Sequence, residues 1–145
     1  MQMRIISGGE LRKVAGEIIR NAVSASDSKV IMAVCVIGGD RISCCDEGIV
    51  FTDDPHRGIA TIAPEGEFGS DGMPSIVGVF VRKDDRRQGY ATTLFEEAIR
   101  RCVDRGFEEI HVDVMSRGMM QIVEKLPDEL RGVLRVHDMT TLSIF

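Results

Sequence analysis

The chain has 145 residues, 43% hydrophobic and 28% charged, with a formal net charge of −5. That length suits one domain, residues 1–145, able to bury a proper core, and the composition is ordinary for a soluble globular protein. The acidic balance argues against a nucleic-acid binder, whose footprint would be basic.

Residues 3–7 form a short apolar segment suited to a first strand, which Gly8 and Gly9 break. A helix follows over about residues 10–25, with Leu11, Val14, Ala15, Ile18, Ile19, Ala22 and Val23 as its apolar stripe. Residues 30–37 are eight consecutive apolar residues rich in β-branched types and read as a buried strand, turned by Gly38-Gly39-Asp40. Residues 48–52 and 58–63 read as a hairpin joined by the turn-rich 53–57. Residues 64–74 carry three glycines with Glu65, Glu67 and Asp71 and read as a mobile acidic loop.

The organising stretch is 76–105. Residues 76–81 are a continuous apolar run, long enough for a buried strand and too short for a helix. A charged turn, 82–85, leads into Arg86-Arg87-Gln88-Gly89-Tyr90-Ala91. From Thr92 the period changes: Leu94, Phe95, Ala98, Ile99, Cys102 and Val103 share one helical face, Glu97 and Arg101 the solvent face, and Gly106 suits the C′ position. Residues 109–114 read as a strand beside 76–81, residues 118–126 as a short helix, and 133–136 and 140–145 as two final strands.

The turn has chemical meaning. The first amides of a helix lack intrahelical partners and carry partial positive charge. Gly89 lets the backbone approach a ligand, Ala91 is nearly as small, and Arg86 and Arg87 add charge. A pyrophosphate or similar anion fits the amides of about residues 87–92. The spacing matches neither the dinucleotide fingerprint nor the P-loop.

Arg86-x-x-Gly89-x-Ala91, after Val79-Phe80-Val81 and before an amphipathic helix, resembles the acyl-CoA motif Q/R-x-x-G-x-G/A of the GNAT superfamily of N-acyltransferases. The resemblance extends more loosely over about residues 46–128. It implies an α+β fold: a central mixed, mostly antiparallel sheet with splayed central strands, flanked by helices. In that family a short second helix usually stands near residues 30–37, and periodicity leaves strand and helix open. The resemblance further implies acetyl-CoA as co-substrate and transfer of its acetyl group to a primary amine, small molecule or peptide, by direct attack. Pantetheine would pair with Val79, Phe80 and Val81, and the cofactor turn would be Arg86, Arg87, Gln88, Gly89, Tyr90, Ala91 and Thr92.

The family's usual catalytic side chains are absent. Val123 stands where a tyrosine acid is common, Ser75 where some members have a glutamate base, and Ser116 is nearest to a frequent asparagine. The substitutes are Asp113, Ser116 and Glu67, with His111 and Asp71 behind them; His111 and Asp113 are expected one on each side of the sheet. Without a dedicated acid or base, rate would come mainly from positioning, and each substitute would contribute about 10²-fold at most. His56 and His137 are expected in surface turns, and Tyr90 to pack at the motif turn.

Cys35, Cys44, Cys45 and Cys102 show no CxxC spacing and no zinc-like histidine partners, so no metal is expected and the cysteines read as reduced. No signal peptide opens the chain and no apolar run approaches a membrane span, which suggests a cytoplasmic protein without a membrane partner. A homodimer stays open. Two rival readings remain: a non-catalytic acyl-CoA-binding or regulatory module, and a binder of some other phosphorylated ligand.

Overall fold

The computed structural model describes residues 2–30, 44–67 and 72–141. Strand β1 (Met3–Ser7) runs directly into helix α1 (Gly8–Ser24). Gly8 and Gly9 therefore open the helix instead of breaking the chain before it: Ser7 is the extended N-cap and Gly8 takes φ +55. Strands β2 (Glu47–Phe51) and β3 (Gly58–Ala63) form the expected hairpin, and β4 (Ser75–Val81) follows. A short 3₁₀ turn (Lys83–Asp85) leads to α2 (Tyr90–Asp104), then β5 (Ile110–Val114). Helix α3 (Arg117–Glu124), a single turn α4 (Asp128–Arg131) and β6 (Leu134–Asp138) complete the described chain. The proposed strand at 30–37 lies outside the described residues beyond Val30, as does most of that at 140–145, whose Thr140 and Thr141 are in a turn. Among the described residues no helix is long and apolar enough to cross a membrane.

The six strands lie in sequence order, with β1 to β4 antiparallel and β4–β5 and β5–β6 parallel. This is the mixed, helix-flanked sheet expected. On one face, Leu94, Phe95, Ala98, Ile99 and Cys102 of α2 are fully buried against Phe51, Ile62, Val81, Ile110 and Val114. On the other, Leu11, Val14, Ala15, Ile18 and Ala22 of α1 cover Ile6, Val50, Ile59, Val77 and Phe80. Gly48 permits that contact, since a Cβ there would stand 2.7 Å from the Leu11 side chain. Val23 (60% exposed) and Val103 (42%) fall outside these faces, because each sits about 100° or more round the helix from the stripe's centre.

Strands β4 and β5 pair only at Ser75 with His111 and Ile76 with Val112. The register between β3 and β4 shifts at Thr61/Ile62, which leaves Val77 as the extra residue of a bulge. A bulge bends its strand and sharpens the local twist. It also resets the alternation: Ile76, Val79 and Val81 face the α2 core, while Val77 and Phe80 face α1. Beyond Ile76 the two parallel strands diverge, and the fork opens at their carboxyl ends.

Candidate active site at the strand fork

The motif turn lies at the carboxyl end of β4, beside this fork. Gly89 is the N-cap of α2 with φ +84, a conformation glycine adopts without strain. The first helical hydrogen bond is Thr93 N–H donating to Gly89 O at 3.1 Å, so the amides of Arg87 to Thr92 have no acceptor among the described residues. A Cβ built at Gly89 would meet nothing within 4 Å. Unpaired amides at a helix start, with open space around Gly89, suit a pyrophosphate, so the residues present fit the phosphate end of acetyl-CoA. Arg87 stands exposed with φ +66, and Gln88 is also exposed. Tyr90 packs edge-on to Phe51 (centroids 5.3 Å) under the Arg57 guanidinium (4.9 Å), while Ala91 and Thr92 are half-buried.

Arg86 does not stand free beside these amides. Its guanidinium donates to both carboxylate oxygens of Asp27, at 2.9 and 2.6 Å, and Nε donates to Val81 O at 2.9 Å. Asp27 follows the end of α1 and is only 3% exposed. Burial opposes its ionisation, but the Arg86 hydrogen bonds, the Lys29 amide and nearby cationic charge outweigh that and hold its carboxyl below the ordinary value. Arg86 thus ties the motif turn to α1 and β4. The sequence contains no local sign of this pair, whose members are 59 residues apart.

At the fork, β5 presents His111 and Asp113 on the sheet face opposite Ile110, Val112 and Val114. They do not face opposite sides, as expected above: residues two apart in a strand share a face, and His111 Nε2 lies 3.0 Å from Asp113 Oδ1. His137, in β6 and not in a turn, lies with Nδ1 3.1 Å from the same oxygen. Ser75 stands in register with His111 across the fork; its hydroxyl, like that of Thr61, is buried and has no hydrogen-bond partner among the described residues.

Ser116 is the N-cap of α3, its Oγ accepting the Met119 amide at 3.1 Å. Glu67 is exposed on the acidic loop, and Asp71 lies outside the described residues. Val123 is buried in the α2-side core. His56 is in its expected turn, half-buried against Glu17. Arg101 of α2 is not a plain surface residue: it makes a bidentate pair with Glu47 at 3.0 and 2.7 Å. Those bonds, against some desolvation, lower the Glu47 pKa. Among the described residues, no group of three or more metal-ligating side chains is arranged to hold an ion. Two concave pockets, one beside β1 and α2, the other between α1 and the 55–56 turn, hold none of the motif residues. Chemistry and strand geometry, not concavity, locate this site.

The sequence model of the acetyltransferase (GNAT) family matches residues 41–121, more than half of the chain. No curated protein matches it significantly. Among solved structures, the chain is similar to a Bacillus subtilis acetyltransferase in complex with CoA, at 13% identity over 86% of this chain and 74% of that one, TM-score 0.55. It is also similar to an aminoglycoside acetyltransferase, meta-AAC0020, from an uncultured soil metagenomic sample in complex with sisomicin (14% identity, 87% of each chain, TM-score 0.55). Tetrahymena GCN5 aligns at 12% identity over 90% of this chain and 85% of that one, TM-score 0.56. At these identities the structural likeness establishes the fold.

Proposed function

Because the chain belongs to the acetyltransferase (GNAT) family, we propose that it is an N-acetyltransferase that moves an acetyl group from acetyl-CoA to a primary amine. The observation that carries this reading is the fork: two parallel strands that part after two register pairs, ending at a turn whose amides have no partner among the described residues. Ligands of open α/β sheets bind in such crevices at the carboxyl ends of strands. The CoA held by the B. subtilis neighbour supports the donor, and the sisomicin held by the metagenomic enzyme supports an amine acceptor. The cofactor residues are Val79, Phe80 and Val81 of β4, whose β5 side has no partner strand beyond Ile76, and the turn from Arg87 to Thr92. Arg86 serves that turn as its anchor to Asp27. We read the chain as one cytoplasmic acyltransferase domain spanning 1–145.

Acetyl-CoA supplies the acetyl group as an activated thioester. The chain's part is to orient that ester and the amine, which in well-oriented systems lowers a barrier by about 7–11 kcal/mol. Of the substitutes, Asp113 lies on β5 beside the fork, Ser116 caps the helix that follows β5, and Glu67 is exposed on the acidic loop. The absence of a tyrosine at Val123 and of a glutamate at Ser75 favours the second reading, an acyl-CoA-binding module without turnover. The two are separated by titrating CoA calorimetrically and following thiol release from acetyl-CoA with a panel of primary amines. Binding with release supports the enzyme, binding without release the module, and no binding rejects both.

A further inference from the structure

Three polar side chains of the sheet are tied together on the face that α1 leaves uncovered. The α1-side core takes residues from β1 to β4 and none from β5 or β6. There Asp113 Oδ1 receives both His111 Nε2 and His137 Nδ1. A carboxylate only accepts hydrogen bonds, so each ring must donate through the nitrogen facing Asp113. In a neutral imidazole the other nitrogen is then a proton acceptor. For His111 that is Nδ1, which has no partner among the described residues. His111 is also the last β5 residue but one in register with β4 before the strands part, and it lies opposite the unpartnered, buried Ser75 hydroxyl.

Resting on the acetyltransferase reading above, we infer that His111 is the base that takes the acceptor amine's proton, with Asp113 as the residue that holds it in the reactive tautomer. Position decides between the two rings: the His111 side chain is 17% exposed at the fork, whereas that of His137 is 64% exposed on the edge strand. His137 completes the hydrogen bonding of the carboxylate and needs no contact with substrate. One N–H bond of the ammonium breaks, its proton goes to Nδ1, and the electron pair stays on nitrogen for the new C–N bond. Overall, ammonium and thioester give amide, thiol and one proton, which His111 returns to water.

Among the described residues, few charged groups face His111. From β5 comes Asp113, from β6 come His137 and Arg135, the latter in register with His111 itself, and from β4 only the neutral Ser75. Arg135 is already paired with Glu109 at 2.7 Å. The Asp113 carboxylate, 3.0 Å from Nε2, is therefore the charged group in direct contact with the ring.

The test pairs kinetics with a readout that needs no acceptor. Glutamine can keep a donor towards Asp113 but cannot take a proton. His111→Gln should lower kcat by about 10²–10³-fold, the range of a general base, with CoA affinity unchanged. The limb of the kcat/KM profile that rises with pH as the ring deprotonates should vanish in this variant. His137→Gln should stay within about 5-fold of wild type, and Asp113→Asn, which favours the wrong tautomer, should lose kcat without a change in KM. Retention of kcat or of the rising limb in His111→Gln overturns the assignment. Independently, long-range proton–nitrogen correlation NMR of the free protein should find neutral His111 protonated on Nε2. Protonation on Nδ1 overturns it even if no amine is ever turned over, and absence of turnover with Nε2 protonated instead rejects the acetyltransferase reading.

Discussion

Removing the Arg86 guanidinium should be the most costly single change at the motif turn. Arg86→Ala leaves Asp27, 3% exposed, as a buried carboxylate without its cation. Breaking one side of a buried pair costs about 3–5 kcal/mol. Water can reach the site along the Arg86 side chain, which is 22% exposed, so the lower end, about 3 kcal/mol, is expected at neutral pH. Asp27→Asn keeps the shape and leaves the guanidinium partly solvated, so about 1–2 kcal/mol should follow. The pH dependence has a definite sign. Asp27 is depressed in the folded protein; its stabilisation is complete above the unfolded value, about 3.9, and fades as pH falls through the lower folded value. In Arg86→Ala burial acts unopposed by that cation and raises the Asp27 value, so the gap to wild type should narrow on acidification. The chain has no tryptophan and one tyrosine, so urea unfolding is best followed by circular dichroism, at about pH 7 and about pH 4, for the two singles and the double variant. A coupling energy below about 0.5 kcal/mol, or a gap that pH leaves unchanged, refutes the reasoning.

Other outcomes follow from the same geometry. Gly89→Val should cost only about 1–2 kcal/mol of stability, the strain of φ +84 in a residue with a Cβ, but weaken CoA by more than about 100-fold, or about 2.7 kcal/mol. Unchanged calorimetric affinity in the folded variant would reject the pyrophosphate assignment. Phe95→Ala, at a fully buried position, should lose about 3–5 kcal/mol, Val103→Ala within about 0.5 kcal/mol, and Arg101→Ala about 1.5 kcal/mol, moderated by Arg105, which also reaches Glu47 at 3.2 Å. Equal denaturation midpoints for the first two would show the helix face to be misassigned. Burial pushes the Cys102 thiol up to about 11, so alkylation mapped by mass spectrometry should reach half-buried Cys44 in the native state and Cys102 only on unfolding; rapid native labelling of Cys102 would contradict its burial.

Much of this architecture can be read along the chain. The buried run at 76–81, the glycine at the helix start and the three- and four-residue spacing after Thr92 each sit within one element, where side-chain direction follows from backbone period alone. They therefore specify β4, the turn and α2, and with them the family and its cofactor end. The same logic, applied correctly, also places His111 and Asp113 on one face, since two residues is the strand's own period. What periodicity cannot carry is the meeting of groups from different elements. Arg86 and Asp27 are 59 positions apart, Arg101 and Glu47 are 54, and Asp113 and His137 are 24. Each pair forms only because the order and register of six strands, and the helices packed on them, bring distant backbone together. So the chain by itself announces Arg86 and Arg101 only as charged residues among scattered acids and histidines. The fold decides that one arginine is an anchor, that another clasps a strand, and that a single carboxylate holds two imidazoles beside the fork, because burial and sheet register, not sequence distance, set which charges can touch.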